Sequence, residues 1–143
     1  MNLKLLNQTN TTTMPNIHDF ILDFIKEKGY KLIDDEEDGD VYFAYRFHTI
    51  WVPHREVGDD FVSVILSSSF EITSDNEKNI LRTMDSINRD FRFVKLYNHN
   101  NKVLFTVEFF CQDREQLFFL TDKGLKEIVD AFGRFKRDTL FRA

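Results

Sequence analysis

The stretch TSDNEKNILRTMDSINRDFRFVKLYNHNNKVLFTVEFF, residues 73–110, decides the fold class. Ile80, Met84, Ile87 and Phe91 recur at spacings of three and four, which puts them on one side of an α-helix. At Phe93-Val94-Lys95-Leu96-Tyr97 the apolar period falls to two, the period of a strand with one buried face. Asn98 to Asn101 turns the chain, and Val103 to Phe110 runs back. The segment therefore predicts a helix delivered directly into a β-hairpin, with Leu96 opposite Val103 and Val94 opposite Phe105. Such a unit belongs to an antiparallel sheet covered by helices, the α+β class.

Upstream, Ile17, Phe20, Ile21, Phe24 and Ile25 form a second helical stripe, opened by Pro15 or Asn16 and closed by Gly29. A strand is expected at Tyr30 to Ile33, then an acidic turn ending in Asp38-Gly39. The next strand, Val41 to Phe47, places Val41, Phe43, Tyr45 and Phe47 on one face. A short strand, Ile50 to Pro53, precedes a turn at Val57-Gly58-Asp59 and a long strand, Phe61 to Phe70. Ser74 and Glu77 have the spacing of a capping box before the central helix. Downstream, Cys111 to Glu115 reads as a polar connection, while Leu117-Phe118-Phe119-Leu120 fits a strand or a turn equally well. Thr121 or Asp122 then caps a last helix striped by Leu125, Ile128, Val129, Phe132 and Phe135. The order is α-β-β-β-β-α-β-β-α, an antiparallel sheet of about five to six strands with three helices. Residues 1–14 read as a polar N-terminal tail, with Met14 a second candidate start, and residues 15–143 as one α+β domain.

Composition narrows the function. The net charge of −5 comes from the acidic run Asp34-Asp35-Glu36-Glu37-Asp38 and Asp40; the remainder carries +1. That balance lacks the basic excess of a non-specific nucleic-acid binder. Lone Cys111 forbids an internal disulfide and fits a reducing compartment. No apolar run approaches the length of a membrane helix, and the opening residues lack the apolar core of a signal peptide.

Chemistry is hard to find. Asp34, Glu36, Asp38 and Gly39 match the start of a calcium loop, but Tyr45 stands where the bidentate Glu belongs. His18, His48, His54 and His99 lack the helical spacing of a zinc site, and Cys111 has no neighbouring base. Glycine-rich phosphate loops and a nucleophile elbow are absent. No metal or cofactor is expected. Arg89, Arg92 and Lys95 interleave with Phe91, Phe93 and Tyr97, but nearby Asp85, Asp90 and Glu108 dilute their charge.

The segment Met84 to Tyr97 resembles the central block of the YbjN-like family, regarded as bacterial sensory-transduction regulators and related in fold to type III secretion chaperones. That family has an "N-x-x-N" element at a helix end, then a strand Lys; Asn88 matches the second Asn and Lys95 the Lys, while Asp85 replaces the first Asn. Gly29-Tyr30 is similar to the family's "GY" start. The resemblance implies a chaperone-like α+β fold, a bacterial cytoplasmic protein, a regulatory or partner-binding role, and neither enzyme activity nor cofactor.

The leading expectation is a non-catalytic, chaperone-like interaction module whose 16 phenylalanines fill a core and leave a sticky surface. Phe47, Trp51, Phe109, Phe110, Phe118 and Phe119 are the candidate contact residues for a protein partner or a second copy, a homodimer being the expected assembly. The alternative is a small-molecule-binding domain or an enzyme whose site is assembled from strand residues around His48, His54 and Glu108.

Overall fold

Asn16 begins the described chain and starts its first helix: its side-chain oxygen accepts from the Asp19 N–H at 3.2 Å. The computed structural model describes residues 16–35 and 39–141. Helix α1 (Ile17–Lys28) ends at Gly29, whose φ of 74° is the left-handed conformation that favours glycine. Then come β1 (Lys31–Asp35), β2 (Val41–Tyr45), β3 (His48–Val52), β4 (Phe61–Glu71), α2 (Glu77–Asp90), β5 (Lys95–His99), β6 (Lys102–Phe110) and α3 (Arg114–Phe141). The six strands form one antiparallel sheet in the order β1-β2-β3-β4-β6-β5. The expected order of elements and the α+β class are both found. The 1–14 tail and Glu36, Glu37 and Asp38 lie outside the described residues.

All three helices lie on one face of the sheet. Ile17, Ile21, Phe24 and Ile25 of α1, Ile80, Met84 and Ile87 of α2, and Leu117, Leu125, Ile128 and Phe135 of α3 share one core with Val41, Phe43, Ile50, Val64, Leu66, Leu96, Phe105 and Val107. The stripes read from the sequence are the buried stripes. Phe20, Phe91, Val129 and Phe132 are the exceptions, only half-buried at the margin of that core. None of the helices among the described residues is long and apolar enough to cross a membrane.

Local geometry corrects four expectations. The β5–β6 hairpin pairs Leu96 with Phe105 and Asn98 with Val103, one position away on each strand from the expected register. The turn is the pair Asn100-Asn101, both at positive φ (52° and 64°), and asparagine tolerates that region better than His99 does. Strand β2 stops at Tyr45, because Arg46-Phe47 is itself a two-residue hairpin turn with Arg46 at φ 53°. The capping box at Ser74 does not form; the Asn76 side chain instead accepts from the Thr73 N–H and donates to the Glu71 carbonyl. Helix α3 starts at Arg114 rather than near Thr121, since Asp113 accepts from the Gln116 N–H at 2.8 Å.

Two glycines in α3 have opposite roles. A Cβ on Gly124 would come within 2.6 Å of a Val107 methyl carbon, so the missing side chain lets α3 sit down on β6. A Cβ on Gly133 would meet nothing within 4 Å beyond its own helix. Gly124→Ala is therefore expected to cost about 1–3 kcal/mol by overpacking, outweighing the helix-propensity gain. Gly133→Ala should raise stability by up to about 1 kcal/mol. Denaturant unfolding of the two variants side by side checks the opposite signs.

Candidate interaction surface

The residues that carry the family resemblance build a joint. Where α2 turns into β5, the Asn88 side chain donates to the Leu96 carbonyl at 2.9 Å and accepts from the Leu96 N–H at 2.7 Å. It thus occupies the free edge of β5 as a neighbouring strand would. The Lys95 ammonium donates to the carbonyls of Asn88 and Phe91, both at 2.8 Å, and closes the C-terminal end of α2. From α3, one carboxylate oxygen of Glu127 accepts from the N–H groups of both Phe93 and Val94 at 2.9 Å. Two elements distant in sequence are pinned by one side chain.

The opposite edge differs. Every residue of β1 is exposed, including Leu32 at 43% and Ile33 at 48%. A register shift between Leu32 and Asp34 and the acids Asp34 and Asp35 interrupt this edge without covering it. Asp35 meets the His18 imidazole at 3.4 Å, and the other His18 ring nitrogen lies 3.1 Å from the Gly39 carbonyl.

The sheet face away from the helices carries aromatic residues. Tyr42 and Trp51 stack at 6.3 Å, and Trp51 sits beside Ile65 across β3 and β4. Phe61 and Phe110 pair at 5.2 Å, with the Arg55 guanidinium 4.9 Å from the Phe61 ring. Arg55 also donates to the Ser63 hydroxyl, which donates to Glu108 at 2.9 Å.

The six candidate contact residues are therefore scattered. Phe110 (69% exposed) and half-buried Trp51 share the face away from the helices, on which Ser63, Ile65, Leu104 and Thr106 are buried. Phe47, at the Arg46-Phe47 turn, is fully exposed. Phe118 packs edge-on to Phe24 under the Arg114 guanidinium, and Phe119 beside it is 61% exposed. Phe109 is buried at 8% and packs near Phe93, so it serves the core. Leu32 and Ile33 were absent from the expected set, because a short apolar pair does not reveal that its strand lies at an edge.

His48, His54 and Glu108 do not converge. The His48 ring packs edge-on to Phe132 of α3 at 4.7 Å, on the helix-covered face. Glu108 lies between core residues Val107 and Phe109 and so projects from the other face. His54 is held beyond β3, its N–H donating to Asp40 and its ring 3.9 Å from Glu56. Burial pushes the Cys111 thiol up to about 11, with Asp113 and Asp60 adding to the shift. Among the described residues, no three His, Cys, Asp or Glu side chains gather to hold a metal ion. Arg89 pairs with Asp85 at 3.5 Å and Lys95 is turned into the helix end, so no continuous basic strip forms here.

His48 has a titration consequence. Burial, then Lys136, lowers its pKa from the ordinary 6.5. The folded state then binds fewer protons than the unfolded state. Its contribution is fully present above the unfolded value and is lost as pH falls through the folded one. Urea unfolding of wild type and His48→Phe between about pH 5 and 7.5 should show stability rising with pH in wild type, with a shallower rise in the variant. Equal slopes would remove His48 as the source.

No family model matches the chain, and no curated protein matches it. Solved structures do. YbjN from E. coli, a proposed transcription regulator, superposes with a TM-score of 0.64 at 12% identity, over 82% of this chain and 88% of that one. The fold is YbjN-like. An uncharacterised protein from Methanothermobacter thermautotrophicus matches at a TM-score of 0.58 and 16% identity, covering 87% of this chain and 97% of its own. The Yersinia pestis type III secretion chaperone SycH, solved in complex with a stable fragment of YscM2, matches at 0.52 and 12%, over 81% and 99%. The YbjN-like fold thus extends to a secretion chaperone, the relation that Asn88, Lys95 and the element order imply.

Proposed function

We propose that this chain is a non-catalytic protein-interaction module, chaperone-like or regulatory, that takes an extended segment of a protein partner along β1. The carrying observation is the asymmetry of the sheet: Asn88 takes up the Leu96 N–H and carbonyl on the β5 edge, while β1 is exposed throughout and offers Leu32 and Ile33. An extended peptide added to a free edge gains main-chain hydrogen bonds, and alternate side chains give selectivity. SycH, of similar fold, has a bound fragment of YscM2, which supports a protein partner here. Trp51 and Phe110 on the face away from the helices, and Phe47, Phe118 and Phe119 elsewhere, are secondary contact candidates.

The test is capture from a native-host lysate on immobilised protein, wild type beside a Leu32→Glu/Ile33→Glu variant of matched thermal stability. Wild type should retain a specific partner and the variant should lose it. Undiminished capture by the variant would exclude β1, and no specific partner for wild type would sink the interaction reading itself.

A further inference from the structure

Strand β4 loses its register with β6 between Ser67 and Glu71. The Ser68 hydroxyl donates to the Val103 carbonyl at 2.6 Å and accepts from the Phe70 N–H, replacing ladder bonds lost there. Phe70 turns in against Phe135 at 4.7 Å, and Glu71 is left at the strand end. Irregularities of this kind commonly re-aim side chains beside binding sites.

At that point β4, the start of α2 and the end of α3 enclose a cleft of about 550 Å³. This lies in the range of about 300–1,000 Å³ usual for ligand pockets. Its apolar lining is Phe70, Ile80 and Leu140; Ile80 is buried and Leu140 is 66% exposed. Glu71 and Asp75 line it as well, both exposed, and among the described residues no Lys, Arg or His does; Lys102 stands opposite Glu71 in the β4–β6 register, outside the lining. Neither carboxylate enters an ion pair among the described residues. At the start of α2 the Thr73, Glu77 and Ile80 N–H groups donate to Asn76 Oδ1, the Thr73 carbonyl and the Asn76 carbonyl.

We infer that this cleft docks a basic, leucine-like segment of a protein partner, its aliphatic side chains on Leu140 and Ile80 and its cationic heads at Glu71 and Asp75. An apolar lining beside two carboxylates that enter no ion pair among the described residues complements that pattern and disfavours an acidic one. The inference rests on the interaction-module reading and names a second contact that such a partner makes.

The probe is the blocked peptide acetyl-Leu-Arg-Leu-Leu-Arg-amide, titrated into the full chain with isotope-labelled methyl groups. The Ile80 and Leu140 methyl signals should shift saturably, and less as salt rises. The same peptide with Glu in place of Arg should leave them unmoved. Glu71→Gln/Asp75→Asn, which alters only exposed side chains, should weaken the Arg peptide about fivefold or more. Shifts confined to other residues, equal binding of the Glu peptide, or unchanged affinity in the double variant would each overturn the inference. If the double variant still captures the wild-type partner from lysate while the peptide fails, the cleft falls and the interaction module stands. If wild type captures nothing, the broader reading falls.

Discussion

Phe135→Ala is expected to lower the unfolding free energy by about 3–5 kcal/mol, the range for deleting a buried aromatic ring and leaving a cavity. Phe135 has no exposed surface and packs against Phe70 at 4.7 Å and Phe105 at 5.6 Å. Phe132 approaches the same Phe105 at 5.5 Å, so α3 meets the sheet through a group of interlocked rings. Such rings gain from edge-to-face geometry beyond the area they bury. The backbone of Phe105 is tied into the β4–β6 ladder opposite Leu66 and limits collapse into the space left. A domain of ordinary stability holds about 5–15 kcal/mol in total, so this one change removes a large share. Guanidinium unfolding with an unchanged m-value is the measurement, and a loss under about 1 kcal/mol would show that the site relaxes far more than its packing suggests.

Glu127→Ala is expected to cost about 2–3 kcal/mol, although it removes no core methylene. Its carboxylate is the acceptor for two consecutive backbone N–H groups, those of Phe93 and Val94, and Val94 is fully buried. A neighbouring strand would normally supply such acceptors, but β5 does not begin until Lys95. Removing the carboxylate leaves both donors unmet where water enters poorly. Glu127→Gln keeps a neutral acceptor at the same reach and should recover roughly half the loss. Glu127→Asp, one methylene shorter, should behave like alanine. Hydrogen exchange at Val94 is the local readout: its amide should exchange much faster in the alanine variant, while amides of β2 and β3 change only with global stability. If Val94 stays as protected as in wild type, another group serves that joint.

Much of this architecture was legible before any coordinates. The stripes of α1 and α2 repeat cleanly because each helix buries one side, and Ile17, Ile21, Phe24, Ile80, Met84 and Ile87 all lie in the core. The start of α3 was hidden for a physical reason. Leu117 is wholly buried, Phe118 half-buried against Phe24, and Phe119 largely exposed beside Lys123. Four consecutive apolar residues pointing in different directions erase the period that marks a helix. The hairpin register slipped because Asn98, Asn100 and Asn101 all favour turns, and only the positive φ of the last two selects between them.

The candidate surface was less legible. Glu127 reads as one more surface acid on a helix; its partners lie 33 and 34 residues earlier, and no local pattern links them. Asn88 stands out in the sequence through the family resemblance alone, and its part in the joint depends on the backbone of Leu96. Leu32 and Ile33 look like ordinary strand residues until the sheet order places β1 at the end. Phe109 shows the converse error: alternation alone does not say which of two adjacent phenylalanines faces the helices.

Asn88 also bears on how copies of this chain can accumulate. Fibrils and ribbons elongate only when a molecule recruits a neighbour on both flanks. Here one flank is plugged by a side-chain amide belonging to the same molecule. Two copies meeting through their unplugged flanks would turn plugged ones outward, leaving a third no place to add. Growth would stop at a pair, a safeguard against aggregation that a single asparagine supplies.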